Sequence, residues 1–196
     1  MPDFVRFAEL AELHVLSVSN RSAMIPAHEF LRNNTSDYHK RVDEAFAGFD
    51  LTEANSYRAF LSSHARALVP IEQALGSTAS LPPWRSRLTN LSDDLSVLGT
   101  GMPTSPALTE LEPAGTLAGM LYVIEGSRLG GRVLARRVAT GLPTGYLLAA
   151  HQQGEWRTLL AALDAQAASG TQGWLDNALT GARRAFDLFG DAAQFR

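Results

Sequence analysis

Five glycines, at positions 115, 119, 126, 130 and 131, fall inside a stretch whose other residues favour helix: Gly115-Thr-Leu-Ala-Gly119-Met-Leu-Tyr-Val-Ile-Glu-Gly126-Ser127-Arg-Leu-Gly130-Gly131-Arg-Val-Leu-Ala-Arg-Arg. Each costs about 1 kcal/mol relative to alanine in a helix interior. Such a set constrains the fold, because something must come close to the bare backbone to offset it. Positions 115, 119, 126 and 130 share one helix face, and the 130–131 pair permits a kink. Two readings are open: close packing of a neighbouring helix through small residues, or a flat ligand laid against the main chain. No lysine follows the glycines as in a Walker loop, so this is not a phosphate cradle.

The rest of the chain is patterned for helices. Over residues 27–49 the apolar side chains Leu31, Tyr38, Val42, Ala45, Phe46 and Phe49 recur at spacings of three and four, the stripe of one helix face. Thr52 is placed to cap a second helix carrying Tyr57, Phe60, Leu61, His64, Leu68, Ile71 and Leu75, bent by Pro70 and stopped by Gly76. A third helix is expected from Trp84 to Leu98, with Gly99 as its stop, and a proline-bearing loop over residues 100–113 follows. The glycine segment then reads as a long helix over residues 114–140, and two more are expected over 155–168 and 174–189. No alternating strand pattern, repeat or low-complexity tract is present. The expectation is an all-α, single-domain fold with irregular helix crossings, residues 27–196 forming the domain. Residues 1–26 read as a leader or a short helix, with its periodic part over residues 4–16.

Composition removes whole classes of function. The 196 residues include no cysteine, which excludes disulfides, thiolate nucleophiles, iron–sulfur ligation and cysteine zinc sites. A formal charge of −3 gives no global pull toward nucleic acid. No apolar run approaches the roughly 18 residues of a membrane helix. Asp3, Glu9, Glu12 and His14 break the N-terminal apolar stretch that a secretory signal would need. The chain reads as cytoplasmic.

Of five histidines, none forms a His-x-x-x-His pair. A single histidine nevertheless suffices for an axial iron ligand. His39 lies beside the apolar stripe of the first helix, with Asp43 one turn later on the same face. A carboxylate there can accept one imidazole N–H, fix the tautomer and leave the other nitrogen free for a metal. Arg32, two turns earlier, projects on roughly the same side toward an anionic group. His64 reads as a hydrogen-bonded core residue. Arg128, Arg132 and Arg136, with Arg137 beside them, read as a basic stripe for an acidic partner or for anionic ligand groups, or as a solvated face.

The stretch Leu31-Arg-Asn-Asn-Thr-Ser-Asp-Tyr-His39-Lys-Arg-Val-Asp43 resembles the proximal helix of the biliverdin-producing haem (heme) oxygenases. The stretch Leu121-Tyr-Val-Ile-Glu-Gly126-Ser127-Arg-Leu-Gly130-Gly131-Arg-Val-Leu resembles their distal helix, and the likeness is to the bacterial branch associated with bacteriophytochromes. The resemblance spans residues 27–189. It implies a multi-helix haem oxygenase fold with haem as both substrate and cofactor, cleaved with O2 and external electrons to biliverdin, CO and Fe2+. It makes His39 the axial ligand of the haem iron, Asp43 its hydrogen-bond acceptor and Arg32 a propionate partner. Gly126, Ser127, Gly130 and Gly131 become the kinked distal wall, with Gly126, Ser127 and Gly130 beside the chemistry and Gly126 and Gly131 against the cofactor. Mammalian relatives have an acidic residue where Ser127 stands. The resemblance further implies a ferredoxin-like or other reductant, met by Arg136, and a bacteriophytochrome as bilin acceptor. For the second propionate, Arg183 and Arg184 are both available. A haem-binding carrier or sensor without turnover, and a helical interaction module without cofactor, share parts of the pattern. The haem reading requires residue 39 to face a cavity and the glycine helix to have a slot beside it.

Overall fold

The computed structural model describes residues 25–78, 80–108, 114–170 and 173–195. The expected helix over residues 4–16 lies outside them, as does nearly all of the segment 1–26. Among the described residues there are seven helices and no strand: α1 (Ala27–Phe46), α2 (Ala54–Gly76), α3 (Leu88–Val97), α4 (Ala114–Ala135), α5 (Gly145–Leu148), α6 (Glu155–Ser169) and α7 (Trp174–Ala192). The fold is all-α.

Helix ends depart from expectation where side chains compete for backbone groups. Thr52 does not cap α2; its hydroxyl donates to Asp50 at 2.6 Å, and the Glu53 carboxylate accepts the Ser56 N–H at 2.6 Å instead. The third helix starts at Leu88 rather than Trp84, because the carboxylate of buried Glu72 takes the Arg87 N–H at 3.1 Å and the Ser86 hydroxyl. The first helix ends at Phe46, which frees Phe49 and Leu51 to turn into the core. The glycine helix ends at Ala135, not at residue 140, where the chain turns and the Ala139 N–H reaches the Leu51 carbonyl at 3.3 Å. It continues without a break through Gly130 and Gly131. Pro70 sits buried inside α2 without ending it.

α7 organises the molecule. Its buried stripe of Ala178, Gly181, Ala182 and Ala185 is small enough for α4 to lie almost on its backbone, the most extensive helix contact in the structure. α1 and α2 also pack on α7, adding Leu31, Phe60, Leu61, Leu68 and Leu75 to one connected core. Burial of such side chains stabilises by about 1.5–3 kcal/mol each before chain entropy is counted. α1 and α4 therefore share a floor. Between themselves they make no comparable contact.

Candidate functional site

The gap between α1 and α4 is a cavity of about 1040 Å³. That is at the upper end of the roughly 300–1,000 Å³ typical of ligand clefts. Phe186 and Phe189 of α7 line it, as do Phe46 and Phe60, so its walls are mainly apolar. The polar groups that reach it come from several walls, some exposed and some buried.

The glycine stripe divides between the two readings of the sequence. A Cβ on Gly115 would lie 2.6 Å from the Trp174 carbonyl oxygen, and one on Gly119 would lie 1.8 Å from that of Ala178. Gly181 on α7 answers them, its Cβ position 1.8 Å from the Thr116 carbonyl oxygen. These three glycines are helix-packing residues. Gly126 and Gly130 are different: a Cβ on Gly126 would meet only the Trp156 ring at 3.6 Å, and one on Gly130 would meet nothing. Both line the cavity and present bare main chain to it. Gly131 also borders the cavity, but its missing Cβ is required by the Leu147 carbonyl oxygen, 2.2 Å from where it would stand.

On the α1 wall, His39, Asp43 and Arg32 line the same cavity. His39 Nδ1 lies 3.0 Å from an Asp43 carboxylate oxygen, and its ring meets Phe186 edge-on at 5.8 Å between centroids. With Nδ1–H donated to the carboxylate, the Nε2 lone pair is the one left for a metal. The His39 side chain is 65% exposed. Nearer the mouth, Arg32 is exposed and Arg137 joins the lining. Tyr122 of α4 borders the cavity too; burial raises its hydroxyl above the usual tyrosine range, partly opposed by the charge of Arg32. His28 is held by Asp164, Nδ1 to Oδ2 at 2.8 Å, which pins α1 to α6. Neither Arg183 nor Arg184 borders the cavity. The Arg183 guanidinium lies 5.5 Å from the Tyr38 ring centroid instead.

The inner end of the slot is polar in a way the sequence did not disclose. His64, read as a core residue, lines the cavity. Its Nδ1 is 2.9 Å from the hydroxyl of Tyr146, a residue on the short helix α5 that no sequence pattern announced. The Asp94 carboxylate orients α5 by accepting the Gly145 and Tyr146 N–H groups at 3.1 and 2.8 Å. Burial, and secondarily the positive charge of Arg87, lower the His64 pKa to about 3, so the imidazole is neutral. Arg87 itself is buried, with its guanidinium 5.1 Å from the Tyr146 ring centroid. It donates to the Ile124 carbonyl at 2.8 Å and to the Ser127 hydroxyl oxygen at 2.9 Å. Ser127 in turn donates its own hydrogen to Ile124 at 2.7 Å. Ser127 is thus an acceptor whose one proton is already committed to the helix.

The basic stripe is shorter than its spacing suggests. Arg128 does not join Arg132 and Arg136 on the surface; it is buried behind α4. There Nε donates to Glu125 at 2.8 Å and Nη1 to the Ala149 carbonyl at 2.7 Å, while Nη2 bonds the Arg85 carbonyl. The other Glu125 oxygen holds His151 Nε2 at 2.9 Å. This cluster ties the 149–154 connection to α4 and leaves Arg132 and Arg136 as the exposed pair. No helix among the described residues is long and apolar enough to cross a membrane.

The sequence matches no protein-family model. It is 36% identical over 126 residues to the heme oxygenase of Xanthomonas campestris pv. campestris (strain 8004), covering 57% of this chain and 74% of that protein. The chain belongs to the haem oxygenase family. As a haem oxygenase it is an oxidoreductase enzyme. Its fold matches the crystal structures of the NO- and CO-bound heme oxygenase from Neisseria meningitidis with a TM-score of 0.74 and 21% identity, over 87% of this chain and 91% of that one.

Sequence reasoning missed Arg87, Tyr146 and the cavity-facing position of His64. Arg87 precedes a helix start that was itself misplaced. Tyr146 lies on a four-residue helix with no period to detect. The aromatic spacing around His64 was visible, but a stripe of buried residues and the closed end of a ligand slot look alike in one dimension.

Proposed function

We propose that this haem oxygenase seats haem in the slot between α1 and α4, ligates its iron through His39 Nε2 and opens the ring with O2 and electrons from an external donor. The products are biliverdin, CO and Fe2+. The observation that carries this reading is the pairing of one imidazole on the α1 wall with two glycines on the α4 wall, Gly126 and Gly130, that line the cavity without a close backbone neighbour. Haem supplies the redox chemistry; the chain supplies ligation, orientation and a mainly apolar cavity. Asp43 holds the imidazole in the ligating tautomer. Gly126 and Gly130 leave room for a flat macrocycle beside α4, and a side chain at either position would take it. Arg32, Arg137 and the Tyr122 hydroxyl suit anionic propionates at the mouth. Arg87 keeps Ser127 and the Ile124 carbonyl in fixed positions on the distal side. The exposed Arg132 and Arg136 suit an acidic, ferredoxin-like reductant. The same reading places the enzyme in the cytoplasm, in the branch that passes its bilin to a bacteriophytochrome.

The test is a hemin titration of the purified protein, followed by addition of reductant under air. The expected result is a sharp Soret band at one haem per chain, then conversion to a green bilin. The His39→Ala variant should lose that band or bind at least tenfold more weakly, since removal of the ligand leaves only packing and propionate contacts. A wild-type complex that merely reoxidises would leave a carrier or sensor. Unchanged haem spectra in the His39 variant would remove the ligand assignment.

A further inference from the structure

The polar groups around the slot can be sorted by whether their hydrogens are already spent. Thr35 donates to the Leu31 carbonyl at 2.7 Å, Ser127 to that of Ile124, and His28 is taken by Asp164. His39 faces Asp43 through Nδ1, and the Arg87 Nη2 group serves Ile124 and Ser127. The Arg87 Nε–H also lacks a partner but is sealed from solvent, so the group left to open at this end is His64. Its Nδ1 is bonded to Tyr146, whereas Nε2 has no partner among the described residues and yet is not sealed from solvent, so it opens on the cavity.

The direction of the Tyr146 bond follows from accounting. Tyr146 is 2% exposed, and among the described residues its hydroxyl has no other acceptor than His64. If Nδ1 carried the hydrogen, the phenolic hydrogen would be left without a partner in a buried site, at a cost of about 1–3 kcal/mol. The hydroxyl therefore donates to Nδ1. In a neutral imidazole the hydrogen then resides on Nε2. The ring is held by aromatic neighbours on three helices: Phe60 at 4.4 Å, Phe46 at 4.7 Å and Phe189 at 5.4 Å between centroids. Presenting its other edge would give up the Tyr146 bond.

We infer that His64 is a positioning residue of the reaction, a fixed Nε2–H donor aimed into the closed end of the slot, which orders the solvent and polar ligand groups there. This rests on the haem-slot reading above. Buried and facing the positive Arg87, the imidazole keeps its neutral, singly donating form across the physiological range. It orients rather than protonates.

Asparagine and glutamine separate this role from a purely structural one. An asparagine amide overlays Nδ1 and retains the Tyr146 contact; a glutamine amide reaches the Nε2 position and can donate into the cavity. The ferric haem complexes of wild type, His64→Leu, His64→Asn and His64→Gln would be titrated with alkali and followed by absorbance. A donor into the slot favours the more anionic alkaline form. The midpoint should therefore rise by about one pH unit in the Leu and Asn variants, while Gln should stay within a few tenths of wild type. Rescue by Asn as full as by Gln, or four identical midpoints, would overturn the inference and leave the haem reading intact. Nitrogen NMR of the wild-type apoprotein supplies a measurement that needs neither haem nor a variant. His64 should be the Nε2–H tautomer and remain neutral at pH 5, and an Nδ1–H tautomer or titration near pH 6.5 would equally overturn it. Failure of the wild type to take up haem would instead overturn the slot reading itself.

Discussion

Replacing Gly119 and Gly130 by alanine should move the stability of the apoprotein in opposite directions, although both glycines occupy one face of one helix. Alanine gains about 1 kcal/mol over glycine in a helix interior. At Gly130 nothing lies within 4 Å of the new methyl, so the gain is unopposed. For a chain of this size that is an increase in Tm of about 2–4 °C. At Gly119 the methyl would sit 1.8 Å from the Ala178 carbonyl oxygen, where ordinary contact begins near 3.4 Å. The obstacle is backbone, so α4 and α7 must move apart by more than an ångström along the most extensive contact in the fold. Overpacking of this kind costs about 1–3 kcal/mol and sometimes more. Set against the propensity gain, the net change is a loss reaching about 2 kcal/mol, a fall in Tm of several degrees. Thermal unfolding of the two apo variants by circular dichroism measures both. Haem uptake should follow the opposite ranking, since the Gly130 methyl enters the slot while Gly119 is remote from it. A Gly119→Ala protein as stable as wild type, or a Gly130→Ala protein less stable, would refute the division of the glycine stripe into packing and cavity positions.

Further consequences concern the buried charges. Changing Glu125 to Leu leaves Arg128, fully enclosed behind α4, without its carboxylate; the expected loss is about 3–5 kcal/mol, visible as a large shift of the urea midpoint. A loss below about 1 kcal/mol would mean that Arg128 finds water instead. Stability should also depend on pH through His64. Its folded pKa, about 3, lies below the ordinary histidine value of 6.5. The contribution is therefore complete above pH 6.5 and is lost as pH falls toward 3, because only the unfolded chain takes up the proton. Between pH 7 and pH 5 the wild type should lose about 2 kcal/mol more than His64→Gln. Equal pH dependence of denaturant unfolding in the two proteins would place His64 in a more solvated site.

The longer helices, the imidazole with its carboxylate one turn away and the glycine face were legible in the sequence, because each depends on spacing within one helix; the four-residue α5 was not. Apolar side chains three and four apart must share a face, and so must His39 with Asp43 and Gly126 with Gly130. What each face meets is a different matter. Gly119 and Gly130 are identical in sequence terms, yet one is pressed on the Ala178 carbonyl and the other borders empty space, because α7 crosses only the first half of α4. Arg128 shares the spacing of Arg132 and Arg136 but is drawn inward by Glu125 and two carbonyls. Arg87, Tyr146 and His64 come together from three separate segments. Their assembly depends on side chain to backbone bonds over long sequence distances, such as Asp94 to Tyr146 and Glu72 to Arg87. Local periodicity determined the longer helices and the His39–Asp43 pair; the cavity and its inner polar wall were decided only by how the helices cross, since contacts between distant segments carry no period to read.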